Sequence, residues 1–177
     1  LERSATIFRQ IQPGQSDATL HNPDAPAFSF DCIPGLDYAI DLSQPARFDV
    51  GGTLIHPEAQ RIVGLSLNGR LLDPAEPLLL VTNNHRVSRT ATHGGIGPQV
   101  VLSDGVRVQA ILAEYIRAQE LVAAPPRRNW HFLPMPGTSV RIATGTRAAK
   151  ALGDVAAMRP EPLLRDEQGF LHYRLHL

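Results

Sequence analysis

Apolar and polar residues alternate with period two along much of this chain, while one stretch sustains a helical period over several turns. Leu1, Ala5 and Phe8 share a helical face at the very start, with no capping residue before them. Such an opening reads as the middle of a helix, so the expectation is a piece excised from a longer chain. Residues 12–26 are rich in Pro, Gly, Asn, Asp and Ser and predict a loop. Residues 27–33 alternate and predict a half-buried strand; Pro34-Gly35 turns into a second strand over 36–42. After a turn-rich connection at 49–57, Asn68-Gly69 joins two short strand patterns. Both positions tolerate positive φ, which makes this the strongest hairpin signal in the chain. Residues 77–82 form a continuous apolar run, suited to a strand covered on both faces.

The helical stretch is expected to start near Ser103 or Asp104, either of which can cap it. Val108, Ile111, Leu112, Tyr115 and Ile116 then recur as a core-facing stripe, and residues 123–126 end the element. Strands are predicted at 130–133 and 139–143, and a short helix at 146–152 stopped by Gly153. Leu163-Leu164, a turn at Gln168-Gly169 and an alternating strand over 170–175 close the chain. Strands outnumber helices and connect as hairpins, which argues for an α+β fold.

A chain of 177 residues with 43% hydrophobic content can bury one core, so a single domain over 1–177 is expected. Lys plus Arg equal Asp plus Glu at 17 each. No global field therefore draws in a nucleic-acid polymer or an anionic membrane, although a mononucleotide needs only a local pocket. Cys32 is the lone cysteine, which excludes a disulfide framework, and its strand-like context predicts a small buried hydrophobe. The apolar run at 77–81 is too short to span a bilayer.

Chemistry-bearing motifs are sparse. His172 and His176 would share a sheet face, without a third ligand to complete a metal site. Ser88 and His93 lie close, but no glycine elbow or acid accompanies them. Arg47, in Ser43-Gln44-Pro45-Ala46-Arg47-Phe48, follows a strand that Pro45 should end, and reads as architectural. Asn83-Asn84-His85-Arg86-Val87-Ser88-Arg89 is different. It follows the apolar run directly, where a ligand loop belongs.

Tyr38-Ala39-Ile40-Asp41-Leu42-Ser43-Gln44-Pro45-Ala46-Arg47-Phe48, with Asn68-Gly69 and Thr82-Asn83-Asn84-His85-Arg86, carries a family resemblance. Together they resemble the C-terminal domain of the bacterial periplasmic 2′,3′-cyclic-nucleotide 2′-phosphodiesterase/3′-nucleotidases, within the wider 5′-nucleotidase family. The resemblance covers Leu1 to Leu177 and implies a four-layer α/β/β/α domain, N-terminally truncated. It also implies a periplasmic location.

The family's chemistry uses two divalent metal ions in an N-terminal domain, held by Asp-x-His, Gly-Asn-His-Glu and Gly-His-x-His strings. None of these occurs here. The resemblance therefore implies no cofactor in this chain and no activity of the chain alone. Expected partners are 2′,3′-cyclic nucleotides, 3′-nucleotides, nucleosides and the protein's own metallophosphoesterase domain. The substrate-binding positions it assigns are Asn84, His85, Arg86, Val87, Ser88, Arg89, Gly94 and Gly95. The family has Asn-Asn-Tyr-Arg and then a Gly-Gly pair, its tyrosine being one jaw of an aromatic clamp on the base. His85 takes that jaw's place here. The other jaw lies upstream of the family's equivalent of Leu1.

Two alternatives stay open. A 5′-nucleotidase or UDP-sugar hydrolase relative would carry Gly-Gly-Asp-Gly-Phe where this chain has Gly94-Gly95-Ile96-Gly97-Pro98. A non-catalytic module making interdomain contacts would bind no nucleotide. Trp130, in an Asn-Trp string, is expected to pack the core.

Overall fold

The computed structural model describes residues 1–73, 75–82, 99–103, 105–122 and 128–177. They fall into two units, one of residues 1–72 and 129–177 and one of 73–128.

In the first unit, eight strands form two mixed sheets. They are β1 (Ala18–Thr19), β2 (Leu36–Ile40), β3 (Ile62–Leu67), β4 (Arg70–Leu71), β5 (Trp130–Phe132), β6 (Ser139–Thr144), β7 (Glu161–Arg165) and β8 (Leu171–His176). One sheet runs β4-β3-β2-β5, with β5 parallel to β2 and the other pairs antiparallel. The other runs β1-β6-β8-β7, with β1 parallel to β6. Mixed sheets with few helices make this an α+β fold.

The hairpin at Asn68-Gly69 forms as its sequence predicts, with φ of 53° and 79° at the two turn residues. Upstream, Gly64 lies inside β3 at φ 63°, where the register with β2 shifts between Asp37 and Ala39. Two residues of β3 oppose one of β2 there, and glycine is the residue that takes this bulge without strain.

Both sheets bury side chains in one hydrophobic cluster. Tyr38 and Ile40 of β2, Val140 of β6 and Leu175 of β8 join Ala5, Ile11 and Leu42. β8 alternates cleanly. Tyr173 and Leu175 are buried, while His172, Arg174 and His176 occupy the other face.

Several expectations give way. The opening is a single 3-10 turn, Ser4–Ile7, with all four residues buried, so it is not an amphipathic surface helix. Residues 27–33 form no strand: Ala27–Ser29 is a 3-10 turn, Phe28 is 76% exposed, and Cys32 is exposed rather than buried. Prolines at 26 and 34, which cannot donate to a ladder, bracket the stretch. The short helix expected at 146–152 forms as a 3-10 helix, Thr146–Lys150, but Gly153 is not its stop: a second 3-10 stretch, Leu152–Met158, kinked at Val155, runs through Gly153 and ends at Arg159, whose φ is 45°. Glycine was read as a stop, but it takes no positive φ there. The two-residue strand β1 carries no period long enough to be predicted.

The second unit holds one described helix, α1 (Val108–Ala118). It starts four to five residues later than predicted, with Arg107 at its N-cap position and no side-chain cap. Its stripe is present but not buried: Val108, Ile111, Leu112, Tyr115 and Ile116 are 47–61% exposed. Residues 77–82 form no strand, and Val81 is 92% exposed. Periodicity reports an apolar face, not what covers it.

Candidate functional site

Asn84, His85, Arg86, Val87, Ser88, Arg89, Gly94 and Gly95, the expected substrate-binding residues, lie outside the described residues. What the structure shows is the frame built by the other family-like segment, residues 38–48, and the cleft beside it.

That segment ends β2 and docks along the N-terminal residues. Asp41 Oδ1 accepts from both the N–H and the Oγ of Ser43, at 2.9 and 2.6 Å, which closes the turn after β2. Gln10 Nε2 donates to Ser43 O at 2.7 Å, the Ile11 N–H to Leu42 O at 2.9 Å, and Thr6 Oγ1 to Phe48 O at 3.1 Å. Arg47 plays the architectural part expected of it. Its carbonyl accepts from the N–H groups of Ile55 and His56, and its Nη1 donates to Ala59 O at 3.5 Å.

Arg61 ties these pieces together, and sequence reasoning missed it. At 1% exposure it is the largest fully buried side chain described. Its Nε donates to Gln44 O at 2.9 Å, and its Nη1 to Ala5 O and Phe8 O at 3.0 and 2.7 Å. The Glu2 carboxylate accepts from the N–H groups of Arg61 and Ile62. Burial lowers the Arg61 pKa, while Glu2 and Asp41 act in the opposite sense. A cation at the start of a strand gives no sequence signal of burial, because its acceptors are distant backbone carbonyls.

An aromatic cluster backs this frame. Phe30 and Trp130 have ring centroids 4.9 Å apart, Phe8 and Phe132 5.0 Å, and Trp130 and Phe132 5.4 Å, all edge-on. Trp130 packs here as its sequence context predicts. Its neighbour Asn129 donates Nδ2–H to Ile33 O and Leu36 O, fixing the entry to β2.

An open cleft of about 330 Å³ lies on the first unit, between residues 6–10, 22–24, 45–46 and 55–56, with Arg61 in its wall. On β7 and β8 an ion-pair ladder crosses the exposed sheet face. Arg174 grips Asp17 through Nε and Nη2 at 2.6 and 2.7 Å and reaches Glu161 through Nη1 at 2.8 Å. His176 contacts Glu161, and His172 contacts Asp166, each at 2.9 Å. The hydrogen bond from Arg174 lowers the Asp17 pKa, those from His176 and Arg174 lower Glu161, and that from His172 lowers Asp166. His172 and His176 share a face as predicted, each held by its own carboxylate. Among the described residues no three His, Cys, Asp or Glu side chains converge on a metal-sized site, and no helix is long and apolar enough to cross a membrane.

No family model matches the chain, and no solved structure matches it. Its relatives are nevertheless of one class, the nucleotide phosphoesterases. It is 34% identical over 189 aligned positions to the 2′,3′-cyclic-nucleotide 2′-phosphodiesterase/3′-nucleotidase of Haemophilus influenzae, covering 100% of this chain and 29% of that protein. The protein of the same name from Yersinia enterocolitica is 31% identical over 194 positions, with the same two coverages, 100% and 29%. The trifunctional nucleotide phosphoesterase protein YfkN of Bacillus subtilis is 33% identical over 162 residues, 88% of this chain and 11% of that protein. These matches are consistent with a C-terminal fragment of the 2′,3′-cyclic-nucleotide 2′-phosphodiesterase/3′-nucleotidase family. It spans less than a third of the length of these relatives.

Proposed function

We propose that this chain is the nucleotide-recognition part of a longer, metal-dependent 2′,3′-cyclic-nucleotide 2′-phosphodiesterase/3′-nucleotidase of the periplasm. The observation that carries the reading is alignment along 100% of the chain, at 34% and 31% identity, with two proteins of that name, of which it spans 29%. In this reading the two sheets are the inner layers of a four-layer α/β/β/α domain. A metallophosphoesterase domain elsewhere in the longer protein holds two divalent ions, which supply an activated water for attack on phosphorus.

The part left to this chain is grip and aim. The substrate-binding positions fall within residues 83–98, with the imidazole of His85 taking the place of the aromatic that stacks on one face of the base. Asn84, Arg86, Ser88 and Arg89 supply hydrogen-bond donors, and Gly94-Gly95 lets the backbone approach closely. Within the first unit, Arg61 and Asn129 pin their neighbours through backbone carbonyls. Base stacking on an aromatic side chain is worth ~1–3 kcal/mol, with imidazole at the small end.

Calorimetry with adenosine on the longer protein tests this. His85→Ala is expected to weaken binding by roughly fivefold to tenfold, and His85→Tyr to strengthen it. Binding indifferent to both substitutions would remove His85 from the site.

A further inference from the structure

Arg61 is 1% exposed, yet among the described residues no carboxylate stands within ion-pair distance of its guanidinium. Nε and both Nη1 protons are fixed on the carbonyls of Gln44, Ala5 and Phe8. The two Nη2 protons have no acceptor among the described residues. Nη2 is also not one of the sealed-off polar atoms without partners, which are His21 Nε2, Ser29 Oγ and Tyr38 OH. Since Arg61 lines the cleft, Nη2 is the donor left open to it.

Other groups around the cleft sort by whether they are engaged. The side chains of Thr6, Gln10 and Asn22 already donate to backbone carbonyls. Arg9 and His56 are exposed at the rim, with no side-chain hydrogen bond to a described residue. Asp24 is the single acidic residue in the lining, against two arginines.

We propose that this cleft is a seat for a tetrahedral oxyanion, an inorganic phosphate or a phosphomonoester group, anchored by Arg61 Nη2 and flanked by Arg9 and His56. The carboxylates of Glu2 and Asp41 offset the burial of this guanidinium only in part, and an anion against it adds a charge-assisted hydrogen bond. Three carbonyls already lock the side chain, so little further ordering is required when the anion arrives. A volume of about 330 Å³ exceeds what a bare phosphate fills, leaving room for the organic part of a monoester. The seat involves residues 6–61 and none of residues 83–98. It therefore stands or falls independently of the nucleoside-binding loop.

The test is a ¹H–¹⁵N titration of the full chain with sodium phosphate at constant ionic strength, following the Arg61 Nε–H signal and the amides of Ala46 and His56. The expected result is saturable displacement of these signals in the millimolar range. Arg9→Glu, which reverses an exposed rim charge without disturbing packing, is expected to weaken it about fivefold. Arg61→Lys should abolish it. If that variant does not fold, Ala46→Glu, which sets a carboxylate in the cleft, takes its place. Shifts that never saturate, that chloride or acetate reproduces, or that keep full affinity in Arg9→Glu would overturn the proposal.

Discussion

Tyr38 is 3% exposed and its hydroxyl has no hydrogen-bond partner among the described residues. Burial, reinforced by Cys32 and Asp31, pushes its pKa up to about 12. An orphaned buried hydroxyl costs about 1–3 kcal/mol. Tyr38→Phe keeps the ring in the core and removes that cost, so it should raise unfolding stability by about 1 kcal/mol in urea denaturation. A loss of similar size would show that the hydroxyl has a partner after all. At this scale the sequence was only partly legible. Arg47 and Trp130 took the places their neighbours in sequence implied. Cys32 and Arg61 exchanged theirs: the cysteine is exposed and the arginine buried. Residue type sets a preference for inside or outside. Arg61 overrides it through acceptors 17, 53 and 56 positions away, a distance over which no local pattern carries information.

Among the elements, the β7–β8 pair shows how a surface ladder couples stability to pH. Glu161 accepts from His176 and Arg174, and Asp166 from His172, and each carboxylate is held below its ordinary value. A carboxylate more acidic in the folded state than in the unfolded one stabilises the fold above the ordinary carboxylate range. That contribution is lost as pH falls through the folded value. The denaturation midpoint should therefore drop as pH falls below about 5, and Glu161→Gln should flatten the drop. An identical pH profile in the variant would detach Glu161 from the effect. β8 and the Asn68-Gly69 hairpin were readable because alternation and turn chemistry are local properties. The strands expected at 27–33 and 77–82 failed for a shared reason. An apolar or alternating run becomes a strand only where a neighbour completes its ladder, and pairing is decided far along the chain.

On the scale of the whole molecule, two sheets share one core in the first unit, while the second carries an apolar helix face that its described residues leave exposed. The family resemblance was read from residues 38–48, and in the structure the backbone and side chains of that segment pin β2, the N-terminal turn and Arg61 together. The residues expected to touch substrate fall in 83–98, outside what the structure describes. The proposed function divides the work, with recognition in this chain and bond-breaking in a metallophosphoesterase domain. Ring opening of adenosine 2′,3′-cyclic monophosphate to 3′-AMP, and phosphate release from 3′-AMP, measured on the repeatedly purified 177-residue chain with and without divalent cations, address that division directly. Turnover no faster than the protein-free blank is the predicted result. Metal-stimulated turnover that persists at constant specific activity through repurification would contradict it.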